Sequence, residues 1–400
     1  MRVGVVGAGI SGLLCAQRLT ELAPTVRITV LEWGRGPGGR TARRRVTAEP
    51  REGGGAAAEL SFDHAAPYFS TTTEAFREIL AQWQAAGVAT PWPEAGEGAW
   101  VGSPSNNAIA RHLVTELEQT GAATVRFGNH VLTAQHRGTE WHVRTQDRAS
   151  DSTVELIFDA LVLSDKLLIL PNTYAVLAPD DVGAVALPST LASTGCIVLL
   201  IALLRTEAVV SALPHPPETA TVDYSRTTDA GGGGGGGRGV QDGSIIARVI
   251  HDSAKPGRAA AEEYDQWVVH STAEYAAAHL VGESLDDEAA VLAELQAAFF
   301  GTAGGADSGG DEPAAAAAAD ATLLDSAVVH ASVMAWDHAQ TVQGSRVADA
   351  AYHIDTARGV GVCGDFFGEG VEGVEAAALS GSALAEALAL QCLHVQKGEL

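Results

Sequence analysis

Close to its start the chain reads Val3-Gly4-Val5-Val6, then Gly7-Ala8-Gly9-Ile10-Ser11-Gly12, then Leu13-Leu14-Cys15-Ala16. An apolar run, a glycine turn and an apolar helix start, in that order, predict a buried strand turning tightly into a helix. The glycines let backbone N–H groups at the helix N-terminus approach a pyrophosphate closely. About twenty residues on, the spacing this fingerprint asks for, Glu32 ends a second apolar strand, Ile28-Thr29-Val30-Leu31. A carboxylate there accepts hydrogen bonds from both hydroxyls of a ribose. With 45 glycines in the chain, the hexapeptide alone would not differ from an ordinary glycine turn. Strand, helix and distant acid together predict an α/β domain that holds a dinucleotide.

A single hydrophobic core stops growing at about 250–300 residues, so a chain of 400 predicts two domains. The balance of 25 Lys+Arg against 49 Asp+Glu gives a net charge of −24. That excludes the electrostatic footprint of a nucleic-acid binder. It also means that a phosphorylated ligand needs a local basic patch. Cys15, Cys196, Cys363 and Cys392 are far apart in apolar settings, which predicts buried reduced thiols rather than a zinc site or disulfides. The first strand starts at Arg2 with no leader before it, and the apolar stretch from Gly195 to Leu204 is too short to span a bilayer. An intracellular, most simply cytoplasmic, protein is expected; a shortened N-terminus leaves an organelle open.

Apolar spacing predicts helices over Glu74–Ala86, Asn107–Gln119, Ala273–Leu280, Asp286–Phe300 and Leu379–Leu390. Strands are predicted within Val125–Val143, paired around Arg137-Gly138, and at Phe158–Leu163, Gly195–Leu204, Ile245–Ile250, Trp267–His270 and Gly359–Cys363. Residues 47–60 read as a surface insertion. The seven glycines Gly231–Gly237 and the Gly/Ala/Asp-rich stretch Gly301–Ala319 read as flexible loops.

Glu32 is followed by Gly38-Gly39-Arg40, and at the other chain end Gly364-Asp365 closes an apolar strand before the last helix. Arg43, Arg44 and Arg45 follow in the same loop as a local counter-charge; a nuclear-localisation stretch is the other reading. Glu32 with Gly38-Gly39-Arg40 resembles the signature of the flavin amine oxidase superfamily. Within it, five segments narrow the resemblance to renalase-like proteins. They are Arg35–Arg45, Phe62-Asp63-His64-Ala65-Ala66-Pro67-Tyr68-Phe69, Trp100-Val101-Gly102-Ser103-Pro104, Ser253-Ala254-Lys255-Pro256-Gly257-Arg258 and Trp267-Val268-Val269-His270-Ser271. The chain departs from that family at Ala65 and Pro67, at Leu163-Ser164-Asp165-Lys166 and around Trp336.

The resemblance implies an α/β fold: a Rossmann-like FAD-binding domain plus a mostly antiparallel β-sheet substrate domain with helices. The first would comprise residues 1–72, 100–165 and 325–400. The second would comprise 73–99 and 166–324, with Gly-rich insertions at 229–239 and 301–320. Gly7, Gly9, Ile10, Ser11, Gly12, Glu32, Trp33, Gly38, Gly39, Arg40, Val131, Gly364, Asp365, Val374 and Glu375 would bind FAD. The implied activity is oxidation of 2- or 6-dihydro-NAD(P) with O2, giving NAD(P)+ and H2O2. No catalytic triad, paired carboxylates or metal cluster is evident in the sequence; hydride transfer needs orientation and desolvation rather than a general base. Tyr68, Trp267 and His270 are candidates for the ring pocket, or plain core residues. Lys255 and Arg258 are candidates for a dinucleotide phosphate, or a solvated loop. An amine oxidase or desaturase on a small apolar substrate, and a non-catalytic FAD-binding protein, are the alternatives. No nucleic-acid, membrane or metal partner is expected.

Overall fold

The structure is a computed structural model describing residues 1–48, 57–171, 173–185, 187–215, 220–223, 244–258, 263–301, 311–368 and 370–397. The Gly231–Gly237 run lies outside the described residues. From the N-terminus, β1 (Arg2–Val6) enters α1 (Ile10–Leu22) and returns as β2 (Arg27–Leu31), as the fingerprint predicts. A hairpin of β3 (Arg43–Ala48) and β4 (Ala58–Asp63) follows, then β5 (Phe69–Ser70) and α2 (Glu74–Ala85). Next come β6 (Ala89–Pro91), β7 (Ala99–Gly102), α3 (Asn107–Gln119) and β8 (Ala123–Arg126). Three antiparallel strands, β9 (Asn129–Arg137), β10 (Glu140–Asp147) and β11 (Thr153–Phe158), lead into β12 (Ala160–Leu163).

The middle of the chain supplies β13 (Ser193–Leu204), α4 (Glu207–Ala212), β14 (Thr221–Asp223), β15 (Ile246–His251) and β16 (Tyr264–Ser271). It continues with α5 (Ala273–His279), the short β17 (Leu280–Val281) and β18 (Ser284–Leu285), α6 (Glu288–Phe299) and α7 (Asp311–Ala327). The chain closes with β19 (Val328–Thr341), β20 (His353–Asp355), β21 (Val360–Val362) and α8 (Gly373–Lys397).

Two sheets organise these elements. The first has the order β20-β21-β12-β1-β2-β8, parallel except at the β20 edge. One of its faces is buried under α1, α2, α3 and α8 through Leu13, Phe76, Leu113 and Leu384. The other is covered by the β9–β11 sheet through Val131, Trp141 and Phe158. The second sheet is antiparallel, in the order β14-β15-β16-β13-β19. Helices α4, α6 and α7 cover one face with Val209, Leu295, Phe299 and Leu324. Its other face packs on the β3–β4 hairpin and β7 through Leu60, Phe62, Val101 and Val198. A Rossmann-like α/β unit assembled from both chain ends thus adjoins a helix-backed antiparallel sheet. Burial on both faces of each sheet explains the near-continuous apolar runs of β12 and β13.

Several boundaries differ from the sequence reading. Residues 47–48 belong to β3 and 58–60 to β4, with Leu60 wholly buried, so both ends of the expected insertion at 47–60 are strand. The run 158–163 is two strands, because Asp159 turns out between them to accept from Arg2 N at 2.6 Å. Gly301–Ala319 was expected to be loop throughout, but its alanine-rich half lies in helix α7, as alanine's helix propensity favours. Helix α2, expected in the substrate domain, packs on α8 and β6, where Phe76, Leu80 and Trp83 join the core of the parallel sheet. Strand β19, expected on the nucleotide side, pairs with β13 along the antiparallel sheet. Over Gly373–Leu390, α8 is long and apolar enough to cross a membrane, but 61% of that stretch is buried, as in a core helix.

Candidate functional site at the junction of both chain ends

The glycine turn leaves β1 at the carboxyl end of the parallel sheet, where ligands bind in such folds. Gly12 sits so close to the Gly7 carbonyl oxygen that any Cβ would collide with it. At Gly9, by contrast, a Cβ would meet nothing within 4 Å: the helix start opens onto free space. Gly9 caps α1, which has no side-chain cap and no acid in its first turn. Its first N–H groups are thus available to an anion, the requirement for holding a pyrophosphate. Ile10 and Ser11 are buried behind them, Ser11 donating from Oγ to the Ser164 carbonyl at 3.0 Å.

Glu32 is fixed by two backbone donors, Ala8 N–H at 2.8 Å and Gly34 N–H at 2.6 Å, one on each carboxylate oxygen. Each oxygen keeps a lone pair for a ribose hydroxyl. Burial raises its pKa, and the two N–H donors oppose that rise. Trp33 is 43% exposed and stacks on His130 with centroids 4.7 Å apart. Together with Gln146, Arg148 and Asp151 these rings line a pocket of about 290 Å³ beside Glu32. Val131 is buried in the core beneath, next to Leu31. The second glycine loop closes on the first through Gly38 N–H to the Ala8 carbonyl, 2.8 Å.

Arg40, next in that loop, forms a two-pronged pair with Asp365 at 2.6 and 2.7 Å and reaches Asp165 at 3.4 Å. Burial pushes the Asp365 carboxyl up, but Arg40, with Lys166 and Arg346 beyond it, holds it down at about 2. Burial likewise works against the Arg40 charge, and Asp365 and Asp165 overcome it. Gly364 is tied by its N–H to Ser380 Oγ at 3.0 Å, which sets Asp365 against α8. Lys166 is wholly buried, its Nζ donating to Thr341 Oγ1 at 2.9 Å. Burial lowers its pKa, with Asp365 opposing. The sequence flagged Leu163-Ser164-Asp165-Lys166 only as a departure. The signal was an acid and a lysine placed directly after a fully apolar strand, at the sheet end where ligands bind.

Segment Asp63–Tyr68 joins this cluster to the antiparallel sheet. Ala66 N–H donates to the Arg40 carbonyl at 3.0 Å, and Asn106 Nδ2 to the Ala66 and Pro67 carbonyls at 2.6 and 3.0 Å. Tyr68 lies on the sheet face toward this segment, edge-on to Trp92 and under the Arg248 guanidinium at 5.6 Å. His270 is on the same face, its Nε2 held by the His64 carbonyl at 2.6 Å; burial holds its pKa at about 4. Trp267 is on the opposite, helix-backed face, stacked on His251 at 4.1 Å and touching Phe299. Alternation along β16 separates it from Tyr68, so it leaves the set of candidates for the ring pocket.

Three further expectations are corrected. Lys255 is buried against Asp63 (3.2 Å) and Asp252, and Arg258 pairs with Asp63 and the Gly102 carbonyl (2.7 Å). Both cations are neutralised inside the protein, so they form neither a phosphate site nor a solvated loop. Glu375 is also turned away from the glycine turns: it accepts from the backbone and hydroxyls of Thr72 and Thr73 at 2.6–3.2 Å, anchoring the start of α2. Val374 beside it is buried in the helical core. Arg43, Arg44 and Arg45 lie on β3 rather than in the glycine loop, Arg45 reaching Glu59 at 3.7 Å. Cys15, Cys196 and Cys363 are buried free thiols, as expected.

The NAD(P)-binding Rossmann-like domain family matches residues 5–83. Among solved structures, the chain is similar to a candidate protoporphyrinogen oxidase from Exiguobacterium sp. 255-15. The TM-score is 0.56 and the identity 11%, over 97% of this chain and 98% of that one. It is also similar to the flavin-dependent monooxygenase PieE, solved with FAD and substrate, with TM-score 0.51 and 15% identity. That match spans 98% of this chain and 58% of PieE. The chain thus has a Rossmann-like dinucleotide domain set in the mixed α/β fold of flavoprotein oxidoreductases.

Proposed function

We propose that the chain is an FAD-dependent oxidoreductase of the renalase type, oxidising 2- or 6-dihydronicotinamide dinucleotides with O2. The overall balance is donor plus H+ plus O2 giving NAD(P)+ and H2O2. The observation that carries this reading is the meeting of both chain ends: the open, uncapped α1 start at Gly9 faces a loop whose Arg40 is paired to Asp365. The residues fit FAD. The Gly9–Gly12 backbone and the α1 N-terminus would hold the pyrophosphate, Glu32 would take the ribose hydroxyls, and Trp33, next in the chain, would flank that ribose. Arg40 supplies a cation already balanced by Asp365, so the acidic chain meets the incoming diphosphate with neutral rather than negative charge at this point.

FAD, when bound, supplies the hydride acceptor and passes two electrons to O2. The protein's own contribution is to orient and to dry. The apolar sheet face of Val198, Leu200, Val268 and Met334 excludes water beside Tyr68 and His64. No proton need leave the donor, because aromatisation of its ring drives the transfer. The PieE likeness and the Rossmann family match support a flavin-type fold. The test is to denature the purified protein, identify the released nucleotide, and measure H2O2 formed per 6-dihydro-NAD consumed. FAD and a one-to-one yield support the reading; bound NAD, or donor loss without H2O2, overturns it. The same apolar face also suits a small apolar amine, and flavin reduction by amines alone would favour that reading instead.

A further inference from the structure

The segment carrying His64 is pinned on every side. Asp63 accepts from Asn106 N–H at 3.1 Å and pairs with Lys255 and Arg258. The His64 carbonyl is held by His270, and Ala66 and Pro67 by Arg40 and Asn106. At the centre of this scaffold His64 is 5% exposed, yet among the described residues its Nδ1 has no hydrogen-bond partner. The ring stacks on Trp336, centroids 5.4 Å apart, and the buried indole Nε1–H of Trp336 likewise has no acceptor among the described residues. Buried polar atoms are almost always paired, and each left unpaired costs about 1–3 kcal/mol. Two such atoms on stacked rings, one of them in a rigidly held segment two residues from the Arg40 contact, call for a shared ligand.

The shape of β19 supports this. Between Thr194 and Cys196 the pairing with β13 slips, so Gly195 faces the carbonyls of Trp336 and Asp337 and the strand bulges just beyond Trp336. Such bulges re-aim side chains next to active sites. Past the bulge, the Ala339 carbonyl lies 3.4 Å from Arg40, so the strand carrying Trp336 ends at the cofactor loop.

We propose that His64 and Trp336 form a recognition site for a planar carboxamide. The indole N–H is a donor only, so the ligand must bring a carbonyl-type acceptor. With its ring proton on Nε2 the neutral imidazole accepts at Nδ1, and a primary amide meets the pair with its NH2 on Nδ1 and its carbonyl on the indole N–H. Burial keeps the His64 imidazole neutral, its pKa down at about 4, so the site is uncharged when it meets the ligand. This rests on the dihydronicotinamide reading above and deepens it: the pair would select the nicotinamide by its amide. His64 and Trp336 are specificity residues here, since they would touch the substrate away from the reacting carbon.

The experiment is calorimetric binding of nicotinamide and of 3-acetylpyridine, which keeps the carbonyl and lacks the NH2, to the protein as purified. A hydrogen bond of about 1 kcal/mol corresponds to roughly a fivefold change in affinity. Wild type is expected to prefer nicotinamide by about fivefold or more. His64→Phe, which keeps the stacking, should lower that preference to under twofold by weakening nicotinamide alone. Trp336→Phe should weaken both ligands by a similar factor. His64→Gln, able to pair with an amide, should retain part of the preference, and it decides the matter should His64→Phe not fold. Equal binding of the two ligands by wild type, no binding of either at millimolar concentration, or a preference that survives in His64→Phe overturns the proposal. Flavin reduction by dihydronicotinamides is measured separately, so failure of the amide site and failure of the proposed activity are distinguishable.

Discussion

Asp365 and Glu375 are both acids near the start of the last helix, and the structure gives them different work. Asp365 is held at about 2 by Arg40, below its usual 3.8. A depressed folded pKa contributes stability that is complete above the unfolded value and lost as pH falls through the folded one. The shift corresponds to about 2 kcal/mol. Wild type should therefore lose about 2 kcal/mol more than Asp365→Asn between pH 5 and pH 2, read from urea unfolding across that window. Glu375 instead caps α2 through Thr72 and Thr73. Glu375→Ala should cost about 1–3 kcal/mol by leaving those part-buried donors unmet, while changing FAD affinity less than twofold by fluorescence titration. Sequence alone placed Asp365 after a glycine at a strand end, which is where it lies, while its part in FAD binding is proposed. It could not place Glu375, because Val371-Glu372-Gly373 and Val374-Glu375-Ala376 repeat the same pattern one helix turn apart.

At the scale of elements, the turn between β1 and α1 leaves the least room for change. A Cβ on Gly12 strikes the Gly7 carbonyl, and one on Gly381 of α8 strikes the Ser11 carbonyl where α8 crosses α1. Gly12→Ala and Gly381→Ala should each destabilise by about 1–3 kcal/mol, seen as lower melting temperatures. Only Gly12→Ala should also weaken FAD binding by tenfold or more, because it alone reshapes the pyrophosphate seat. The elements themselves were legible where period and caps agreed: α3 begins and ends where its apolar spacing predicts. Alternation in β16 was legible, but its orientation was not. Trp267 and Val268 are equally apolar, and both faces of that strand are covered, so no pattern says which face looks toward the nucleotide domain. Lys255 and Arg258 were misread for a related reason. A charged loop looks solvated unless its partner acid is known, and Asp63 lies far away in sequence.

The whole molecule is organised by chain ends that return to one sheet. β1, β2, β12 and β21 lie side by side, and the loop after β2 meets Asp365 after β21 through Arg40. This layout was visible in the sequence from two apolar strands, each followed by glycine, at opposite ends. The division of the middle was less visible. α2 and β19 change sides because their apolar faces complete whichever core is near, and proximity is set by topology rather than composition. The proposed amide site at His64 and Trp336 likewise exists only once two distant segments meet. The measurement that bears most directly on the account is anaerobic stopped-flow mixing of the purified protein with 2-, 4- and 6-dihydro-NAD, following flavin absorbance. The account predicts rapid bleaching by the 2- or 6-dihydro isomer and recovery of the oxidised spectrum on admitting O2. An oxidised spectrum that no dihydronicotinamide changes would contradict it.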